Sequence, residues 1–592
     1  MNSTTAARTG ESKSAFLPAD VDASRFAGVE PYFKQLLERP VADAAELGRW
    51  VIDRGELEAA CSEARANLYI TMTCNTDNAE AAKAYERYVE EVAPKLTPAF
   101  FGLDKRYVEL AAKFPLPAAR YGVYDRAVKA EVELFREENV PLQTELDKLT
   151  QKYDHIVGMM TVEFDGQERT MPQMARYQEM TDRPVREKAW KAVMDRRMQE
   201  REKIDEIFDQ QIKVRDRMAK NAGFKDFVGY AFKEKHRFDY GVAECEEFHK
   251  GVEVAIVPLM RSVEATRAKL LKVDQLRPWD LSVDVKGRGP LRPFEGGTQL
   301  MTKAVNACSR LDPRLGQMLA TLGDGANTMG ARNGACLDLD SRKGKAPGGY
   351  QYMRDRARKP FIFMNAAGLQ RDVETMVHEA GHAFHSMLCI DEPLLAYRHS
   401  PIEFAEVASM SMELLTMNHW GGGGGEGDVF YANEEDFARA KREQLKHSVM
   451  LLPWIATIDA FQHWIYTHPT HTPDERRQAW LALDARFGTS ASWEGLEHYR
   501  PHIWQRQGHL FHHAFYYIEY GIAQLGALQL WLHSLEKGEK SAVEAYLAGL
   551  RLGGSKPLPE LFAAAGLKFE FGPDAIKRIA DRVNDELAKL PE

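Results

Sequence analysis

The residues best suited to chemistry lie in one short run, His378-Glu379-Ala380-Gly381-His382. If this run is helical, the imidazoles of His378 and His382 lie one above the other, because residues four apart share a helix face. Two such imidazoles can hold two corners of a zinc tetrahedron. Glu379 lies about 100° further round the helix, where its carboxylate can act as general base on a water without binding the metal. The run therefore predicts metal-assisted hydrolysis.

A catalytic zinc needs a third protein ligand and an open position, and Glu403, Glu406 and Glu413 follow downstream. Glu406 and Glu413 are seven residues apart and share a helix face beside the small residues Ala408 and Ser409, which permit close helix packing. Two carboxylates on an apolar helix are costly to bury without a cation. We therefore predict Glu406 as the third ligand and Glu413 as an acceptor that orients an imidazole N–H. Glu403 is the rival ligand, and a helix with two structural histidines is the alternative interpretation.

A histidine as third ligand is not predicted. The extended metzincin pattern needs glycine at the position of His385 and histidine at that of Leu388, and neither is present. His385 is therefore predicted to be a packing histidine or one that holds a ligand in place.

Two helices must position these groups. Asp372 to Leu388 contains good helix formers, with Asp372 as the predicted N-cap, and Pro401 to Trp420 is also helical in pattern. Pro360 to Asn365 (PFIFMN) is predicted to be a strand. Met160 to Phe164 alternates and is followed by the turn residues Asp165-Gly166, which predicts a short hairpin.

Strands are otherwise scarce, and long amphipathic stretches near 125–155 and 183–221 indicate helix. The predicted fold class is mainly α, with a small β-sheet beside the active-site helix. We divide the chain into a disordered tail over 1–25, an N-terminal helical region over 26–124, a helical lobe with the hairpin over 125–200 and a catalytic domain over 201–592. The run Gly421 to Gly425 cannot be helical and predicts a linker or hinge.

Composition excludes several classes of protein. Of the 592 residues, 44% are hydrophobic and 28% are charged, which is typical of a globular protein. The net charge of -9 is spread along the chain, which argues against a nucleic-acid binder. No apolar run approaches the roughly 18 residues that span a bilayer, and the N-terminus lacks the apolar stretch of a signal peptide. The six cysteines contain no CxxC pair, which predicts reduced, mostly buried thiols in a cytoplasmic protein.

With both helices in view, the sequence resembles the oligoendopeptidase F and thimet oligopeptidase family of zinc metallopeptidases, and it is closer to the oligoendopeptidase F branch. HEAGHAFH matches the HExGHxxH signature of the family, the glutamate of FAEVASM lies 24 residues after His382, and Glu413 matches a second acidic position. The segment from Gly348 to the signature, GGYQYMRDRARKPFIFMNAAGLQRD, is similar throughout. Weaker matches are DRPVREKAW, RMAKNAGFKDF and GGSKPLPELFAAAGL, so the resemblance covers about residue 125 to the end.

The resemblance implies an elongated multi-helix body with a deep substrate channel, a gluzincin-type HExxH site and one Zn²⁺ per chain. It implies endopeptidase action on short unstructured peptides. It also implies that the substrate main chain pairs with a strand edge, which the PFIFMN segment or Gly348-Gly349-Tyr350 could supply.

A His/Tyr-rich stretch, HLFHHAFYYIEY, occupies the place where the family stabilises the oxyanion intermediate. We predict Tyr517 as the oxyanion donor with His512 as the second catalytic group, His509 being its rival. We predict His509, Tyr516 and Tyr520 as substrate-binding residues. On a helix Tyr516 or Tyr517 can share a face with Tyr520, whereas the first two diverge by about 100°. An aromatic core helix is the alternative.

Three functions stay open. The first is an oligoendopeptidase, and the second is a dipeptidyl carboxypeptidase of the same architecture, which would need a basic group for the terminal carboxylate of the substrate. The third is a helical peptide-binding scaffold with a vestigial metal site. The predicted partners are short peptides, with no nucleic acid and no membrane, and the oligomeric state is open between monomer and homodimer.

Overall fold

The structure is a computed structural model that describes residues 16–326, 335–342, 344–346, 348–422, 425 and 427–591, without the side chain of Pro172. Over these residues the chain is mainly helical with small β-sheets, which confirms the predicted fold class. The predicted tail lies outside the described residues as far as residue 15, as do Gly423 and Gly424 of the glycine run. Within the rest of that tail, Leu17 and Ala23 are buried.

The first helices surround a core that includes Trp50, whose indole Nε1 donates to the carbonyl oxygen of Leu36. Asp43 accepts from the backbone N–H of Glu46, and this side-chain cap explains where the second helix begins. The helices are α1 (Phe26–Glu38), α2 (Ala44–Cys74), α3 (Ala79–Arg87), α4 (Ala93–Lys113) and α5 (Ala118–Leu134).

The next stretch contains the predicted hairpin, which is confirmed: its strands pair antiparallel, from Thr161 opposite Thr170 to Phe164 opposite Gln167. Asp165 and Gly166 both have positive φ, as a two-residue turn that follows the twist of the strands requires. The elements are α6 (Asn139–Gly158), β1 (Thr161–Phe164), β2 (Gln167–Thr170), α7 (Met171–Ala175), α8 (Arg183–Asn221), α9 (Phe227–Glu234), α10 (Val242–Gly251) and α11 (Val257–Leu271).

A three-stranded sheet and two helices follow and carry the candidate site. The strand order is β3-β5-β4, with β5 parallel to β3 and antiparallel to β4. Both β4 and β5 pack against α14, which confirms the predicted sheet beside that helix. The elements are α12 (Gly296–Leu311), α13 (Pro313–Ala320), β3 (Leu337–Asp340), β4 (Tyr350–Arg354), β5 (Lys359–Ala366), α14 (Gln370–Leu388) and α15 (Ile402–Leu415).

The remaining elements are helical. They are α16 (Glu434–Thr467), α17 (Pro473–Phe487), α18 (His509–His512), α19 (Tyr517–Lys537), α20 (Glu539–Leu550), α21 (Leu558–Ala564) and α22 (Pro573–Leu587). None of the helices in the described ranges is long and apolar enough to cross a bilayer.

The chain forms two compact units, each built from segments that are distant in sequence. The first contains Met1–Val132, Phe294–Met412 and Glu539–Gly566, and the second contains Glu133–Pro293, Glu413–Gly538 and Leu567–Glu592. The predicted division into consecutive segments differs from this grouping because helices distant in sequence pack together. In particular, α8 runs unbroken through the predicted boundary at 200/201.

Candidate functional site

Helix α14 begins earlier than the sequence predicts. Its first residue is Gln370, and Asp372 lies in the first turn instead of at the N-cap. There the carboxylate accepts hydrogen bonds from the backbone N–H groups of Ala367 (2.7 Å) and Leu369 (2.9 Å). The predicted role of Asp372 as N-cap is therefore wrong by three positions, although its charge still favours the positive end of the helix dipole. Loop donors of this kind are not visible in a helical pattern.

One face of α14 is fully buried and fixes the helix against its neighbours β5 and α13. The opposite face carries the side chains of His378 and His382, which keep 21% and 19% of their exposure and so can be reached by solvent. The buried face is formed by Val373, Met376, Val377, Ala380, Ala383 and Phe384.

Helices α14 and α15 approach each other closely at Gly381. A Cβ atom on this glycine would lie 2.5 Å from the carbonyl oxygen of Ala408 and 2.6 Å from the Cα of Ser409. The same carbonyl of Ala408 accepts a 2.9 Å hydrogen bond from the hydroxyl of Tyr546 on α20. The close packing predicted from Ala408 and Ser409 is thus confirmed, and Gly381 permits it.

Replacing Gly381 with alanine is expected to destabilise the fold by about 1–3 kcal/mol, because the added methyl group meets backbone atoms that cannot turn aside. Zinc affinity should fall as well, since the helices must move apart. The matched control is Gly122→Ala on α5, where a Cβ meets nothing within 4 Å, so the same change should stabilise by roughly 0.4–1 kcal/mol. Urea unfolding of the two variants measures the change in the free energy of unfolding that each substitution causes. Equal stability would contradict the proposed constraint.

Three side chains from α14 and α15 converge on one point. The ligand atoms of His378, His382 and Glu406 all lie within 4.8 Å of one another. Glu406 Oε2 is 3.4 Å from His378 Nε2 and 3.7 Å from His382 Nε2. Neighbouring ligand atoms around a tetrahedral zinc are about 3.3–3.5 Å apart. The two nitrogens and one carboxylate oxygen therefore fit zinc in donor type and in spacing, and Glu403 is not part of this convergent set.

Glu406 is ionised in this site. Burial raises the pKa of its carboxyl, but the neighbouring charges of His382 and His378 and a hydrogen bond from Ser409 bring the pKa to about 2. The Ser409 hydroxyl donates to Oε2 at 2.9 Å. A charged carboxylate is the form that a metal ion binds.

Glu379 and His385 beside this set are also buried, and Glu413 is half-buried. Glu379 is 7% exposed and follows His378 on α14. Glu413 accepts a 2.8 Å hydrogen bond from Nε2 of Gln444, which is 1% exposed. That Glu413 orients an imidazole stays a prediction.

His385 packs edge-on against Phe404, with ring centroids 6.0 Å apart, as expected of a packing histidine. Burial, with the charges of His382 and His399, lowers the pKa of His385 to about 3, so its ring is neutral.

Of the two segments predicted to bind a peptide main chain, only one leads into an edge strand of the sheet. Strand β5, which contains PFIFMN, lies in the middle and pairs with β3 on one side and β4 on the other. Strands β3 and β4 are the two edge strands, and β4 begins at Tyr350 directly after Gly348 and Gly349. The Tyr350 ring stacks on Phe363 at 4.7 Å and its hydroxyl lies 2.6 Å from Oγ1 of Thr73. This side chain is therefore held by the protein, and the segment can offer a substrate chiefly its main chain.

The His/Tyr-rich stretch is not one helix. Helix α18 ends at His512, Phe515 has a φ of 62°, and α19 begins at Tyr517. A non-glycine residue in the left-handed region reverses the chain direction locally. Tyr516 is the N-cap of α19 with helical φ and ψ, so the predicted helical spacing of Tyr516 and Tyr520 holds, whereas the break at Phe515 folds His509 back toward the tyrosines.

The four residues predicted to bind substrate or donate to it form one cluster. The ring of His509 lies 5.8 Å from Tyr516, 5.1 Å from Tyr517 and 6.0 Å from Tyr520. Tyr520 in turn contacts Tyr516 at 5.2 Å and Tyr517 at 5.6 Å. All four keep partial exposure. Of the two candidate histidines, His509 is the one that joins the tyrosines.

His512 points elsewhere. Its Nε2 lies 2.6 Å from Oδ1 of Asp154 on α6, and its ring packs against Tyr153 with centroids 5.8 Å apart. The side chain is thus held by its contact with Asp154. The catalytic role of His512 stays a prediction, and this geometry gives it no support.

A chain of hydrogen bonds fixes the proton on His509. The indole Nε1–H of Trp454, which can only donate, donates to Oε1 of Gln507 at 3.0 Å. This sets the amide of Gln507 so that its Nε2 donates to Nδ1 of His509 at 2.7 Å. Burial, with the charges of His513 and His512, lowers the pKa of His509 to about 4. His509 is therefore neutral with its proton on Nε2, an available donor. Gln507 and Trp454 could not be predicted as its partners, because glutamine and tryptophan are not residue types that indicate a site.

The chain is similar to known proteins over most of its length. The model of peptidase family M3 matches residues 176–580. Oligopeptidase PepF of Bacillus subtilis (strain 168) is 26% identical over 351 residues, which are 57% of this chain and 47% of that protein. Chromosomal oligoendopeptidase F of Lactococcus lactis subsp. cremoris is 26% identical over 276 residues, 43% of this chain and 42% of that protein. The alignments span about half the length of these curated relatives.

Solved structures share the fold over nearly the whole chain. PZ peptidase A with inhibitor 2 superposes with a TM-score of 0.85 at 27% identity, covering 97% of this chain and 99% of that one. Oligoendopeptidase-F from Enterococcus faecium superposes with a TM-score of 0.62 at 17% identity, covering 95% and 97%. The second likeness shows the fold alone.

Proposed function

The chain belongs to peptidase family M3, and on that basis we propose that it is a zinc-dependent endopeptidase that hydrolyses short unstructured peptides. The observation that carries the proposal is the convergence of His378, His382 and Glu406 next to Glu379. The names of its relatives, oligopeptidase and oligoendopeptidase F, agree with peptide hydrolysis. Cytoplasmic action on such peptides stays a prediction.

His378, His382 and Glu406 would hold the metal, and the remaining coordination position is left for the reaction. When bound, Zn²⁺ lowers the pKa of a water and polarises the scissile carbonyl. Glu379 takes the proton of the attacking water through its carboxylate and returns it to the leaving amine. Because this carboxylate is buried, water screens it less, and its interaction with the charge that develops in the reaction is stronger.

The main chain of Gly348-Gly349-Tyr350, which leads into β4, would bind the substrate backbone, so that the substrate adds a strand to the sheet edge. Unstructured peptides suit this mode, because their main-chain groups are not already paired. We assign the hydrogen-bond donors for the oxyanion to Tyr517 and to Nε2–H of His509, in place of His512.

This assignment makes Gln507 a positioning residue. Gln507→Met should lower kcat about five- to tenfold with KM nearly unchanged. The variant loses one hydrogen bond of about 1 kcal/mol, so His509 can also carry its proton on Nδ1, and in that tautomer Nε2 cannot donate. Gln507→Glu should lose more, since its carboxylate favours a proton on Nδ1 and raises the pKa of His509. The acid limb of the pH–rate profile should then move to higher pH. A Gln507→Glu enzyme with the wild-type profile would contradict the tautomer assignment.

The proposed function is tested with a quenched fluorescent peptide blocked at both ends. We expect cleavage within the peptide, loss of activity after chelator treatment and recovery with Zn²⁺. A dipeptidyl carboxypeptidase would spare a peptide with a blocked C-terminus, and a peptide-binding scaffold would bind it without cleavage. Chelator-insensitive cleavage would contradict the zinc mechanism.

A further inference from the structure

The second unit contains another group of metal-ligating side chains, which the proposed function does not use. Cys245 and His249 lie on α10, and Asp459 and His463 lie on α16. The ligand atoms of Cys245, Asp459 and His463 are all within 4.8 Å of one another. Nε2 of His249 is 2.9 Å from Oδ2 of Asp459. Four side chains of metal-binding type therefore meet at one place.

The spacing of these residues is regular. On each helix the two side chains are four residues apart, so both project from the same face, and the two helices pack against each other. Helical bundles build metal sites in this way, from residue pairs about one turn apart on facing helices. The arrangement is that of a ligand set from two helices.

The site is buried around its carboxylate. Asp459 and Cys245 are 0% exposed and His249 is 4% exposed. Oδ2 of Asp459 contacts both imidazoles, at 2.9 Å to His249 and 3.3 Å to His463. Oδ1 of Asp459 has no hydrogen-bond partner among the described residues. A buried carboxylate oxygen without a partner is costly, and a bound cation would remove that cost.

Aromatic rings enclose the cluster. The His463 ring lies 6.0 Å from Phe232 and 5.2 Å from Phe515, and the His249 ring lies 6.4 Å from Phe487. His463 keeps 13% of its side-chain exposure, which leaves a route by which an ion can enter.

The charges also balance. One thiolate and one carboxylate with two neutral imidazoles would neutralise a divalent cation completely. The nearby cation Arg237 already has a counter-ion, because its guanidinium is 2.7 Å from Oε1 of Glu519. A bound divalent ion would therefore leave no net charge in the interior.

We propose that Cys245, His249, Asp459 and His463 form a second, structural metal site that takes Zn²⁺ or a similar divalent transition metal. The sulfur, nitrogen and oxygen donors suit zinc, and four protein ligands leave no position for a substrate. Binding replaces the imidazole–carboxylate contacts with bonds to the ion and releases the thiol proton of Cys245 to solvent. The chain would then hold one metal more than the single zinc predicted from the sequence.

Cobalt replacement of the metal in the full-length protein tests this proposal, because Co²⁺ bound to a thiolate gives a charge-transfer band in the near ultraviolet. The proposed catalytic set has no sulfur ligand, so the band reports the second site alone. We expect the wild-type protein to bind a second equivalent of Co²⁺ and to show the band. Cys245→Ser should lose both, and Cys308→Ser, a change at another fully buried cysteine, should keep both.

His378→Ala should lose one equivalent of metal and keep the band, so failure of the catalytic site and failure of the second site give different results. The wild-type spectrum needs no variant, and it remains decisive if Cys245→Ser does not fold. A wild-type protein that saturates with Co²⁺ but shows no thiolate band would overturn the proposal. In that case the cluster would be a hydrogen-bonded His–Asp–His network only.

Discussion

Replacing Glu379 with glutamine is expected to lower kcat for peptide cleavage by about 10³- to 10⁴-fold, the upper range for loss of a general acid–base group. The amide has almost the same size and can still accept a hydrogen bond, but it cannot take a proton from water. Zinc content and unfolding midpoint should match the wild type, because the side chain is not in the ligand set of His378, His382 and Glu406. Steady-state kinetics, metal analysis and thermal unfolding of one sample measure kcat, zinc content and the unfolding midpoint.

Glu379→Asp is the control for this variant. It keeps a carboxylate but withdraws it by one methylene, so its kcat should lie between that of the glutamine variant and that of the wild type. If Glu379→Gln retained more than about a tenth of wild-type kcat, another group would have to act as the base.

Removing the third ligand should have an effect of similar size on metal binding. Glu406→Gln is expected to weaken zinc affinity by well over 100-fold, which exceeds the 10- to 100-fold typical of residues that only support a ligand. The wild-type protein should gain thermal stability on addition of zinc, in proportion to the logarithm of zinc concentration. The variant should show this gain only at much higher zinc concentrations. Competition with a chromophoric chelator gives the affinities directly.

Glu403→Gln is the matched control on the same helix. Glu403 is buried at 4% exposure, close to the 7% of Glu406, so both substitutions replace a buried carboxyl group on α15. We expect Glu403→Gln to bind zinc at the catalytic set like the wild type. If Glu403→Gln weakened zinc binding more than Glu406→Gln, Glu403 would be the third ligand, an alternative that the sequence alone leaves open.

The convergence of His378, His382 and Glu406 could be predicted because the residues that indicate it lie close together in the sequence. His378 and His382 are one helical turn apart, and Glu406 lies on the next helix. The hairpin at Asp165-Gly166 was also predictable, since its turn chemistry is contained in two residues. In each case the residues that carry the signal are close together in the sequence.

The features that sequence reasoning missed depend on residues far apart in the chain. The place of His512 in a His/Tyr-rich stretch similar to that of the family predicts a catalytic role, and its contact with Asp154, 358 residues away, cannot be found from spacing. The left-handed conformation of Phe515 broke a stretch that looked helical. The cluster around Asp459 joins two inconspicuous pairs separated by 210 residues. Packing alone brings such residues together.

The contact at Gly381 separates two kinds of constraint within one five-residue motif. In the proposed function the histidines and Glu379 serve chemistry, and a protein selected only for folding has no need to keep them. Gly381 serves the approach of α14 to α15, where the carbonyl of Ala408 leaves no room for a Cβ atom. In a saturation library screened for soluble expression without any peptide present, the glycine should stay invariant while the histidines drift. Invariance within this motif is therefore not by itself a record of catalysis.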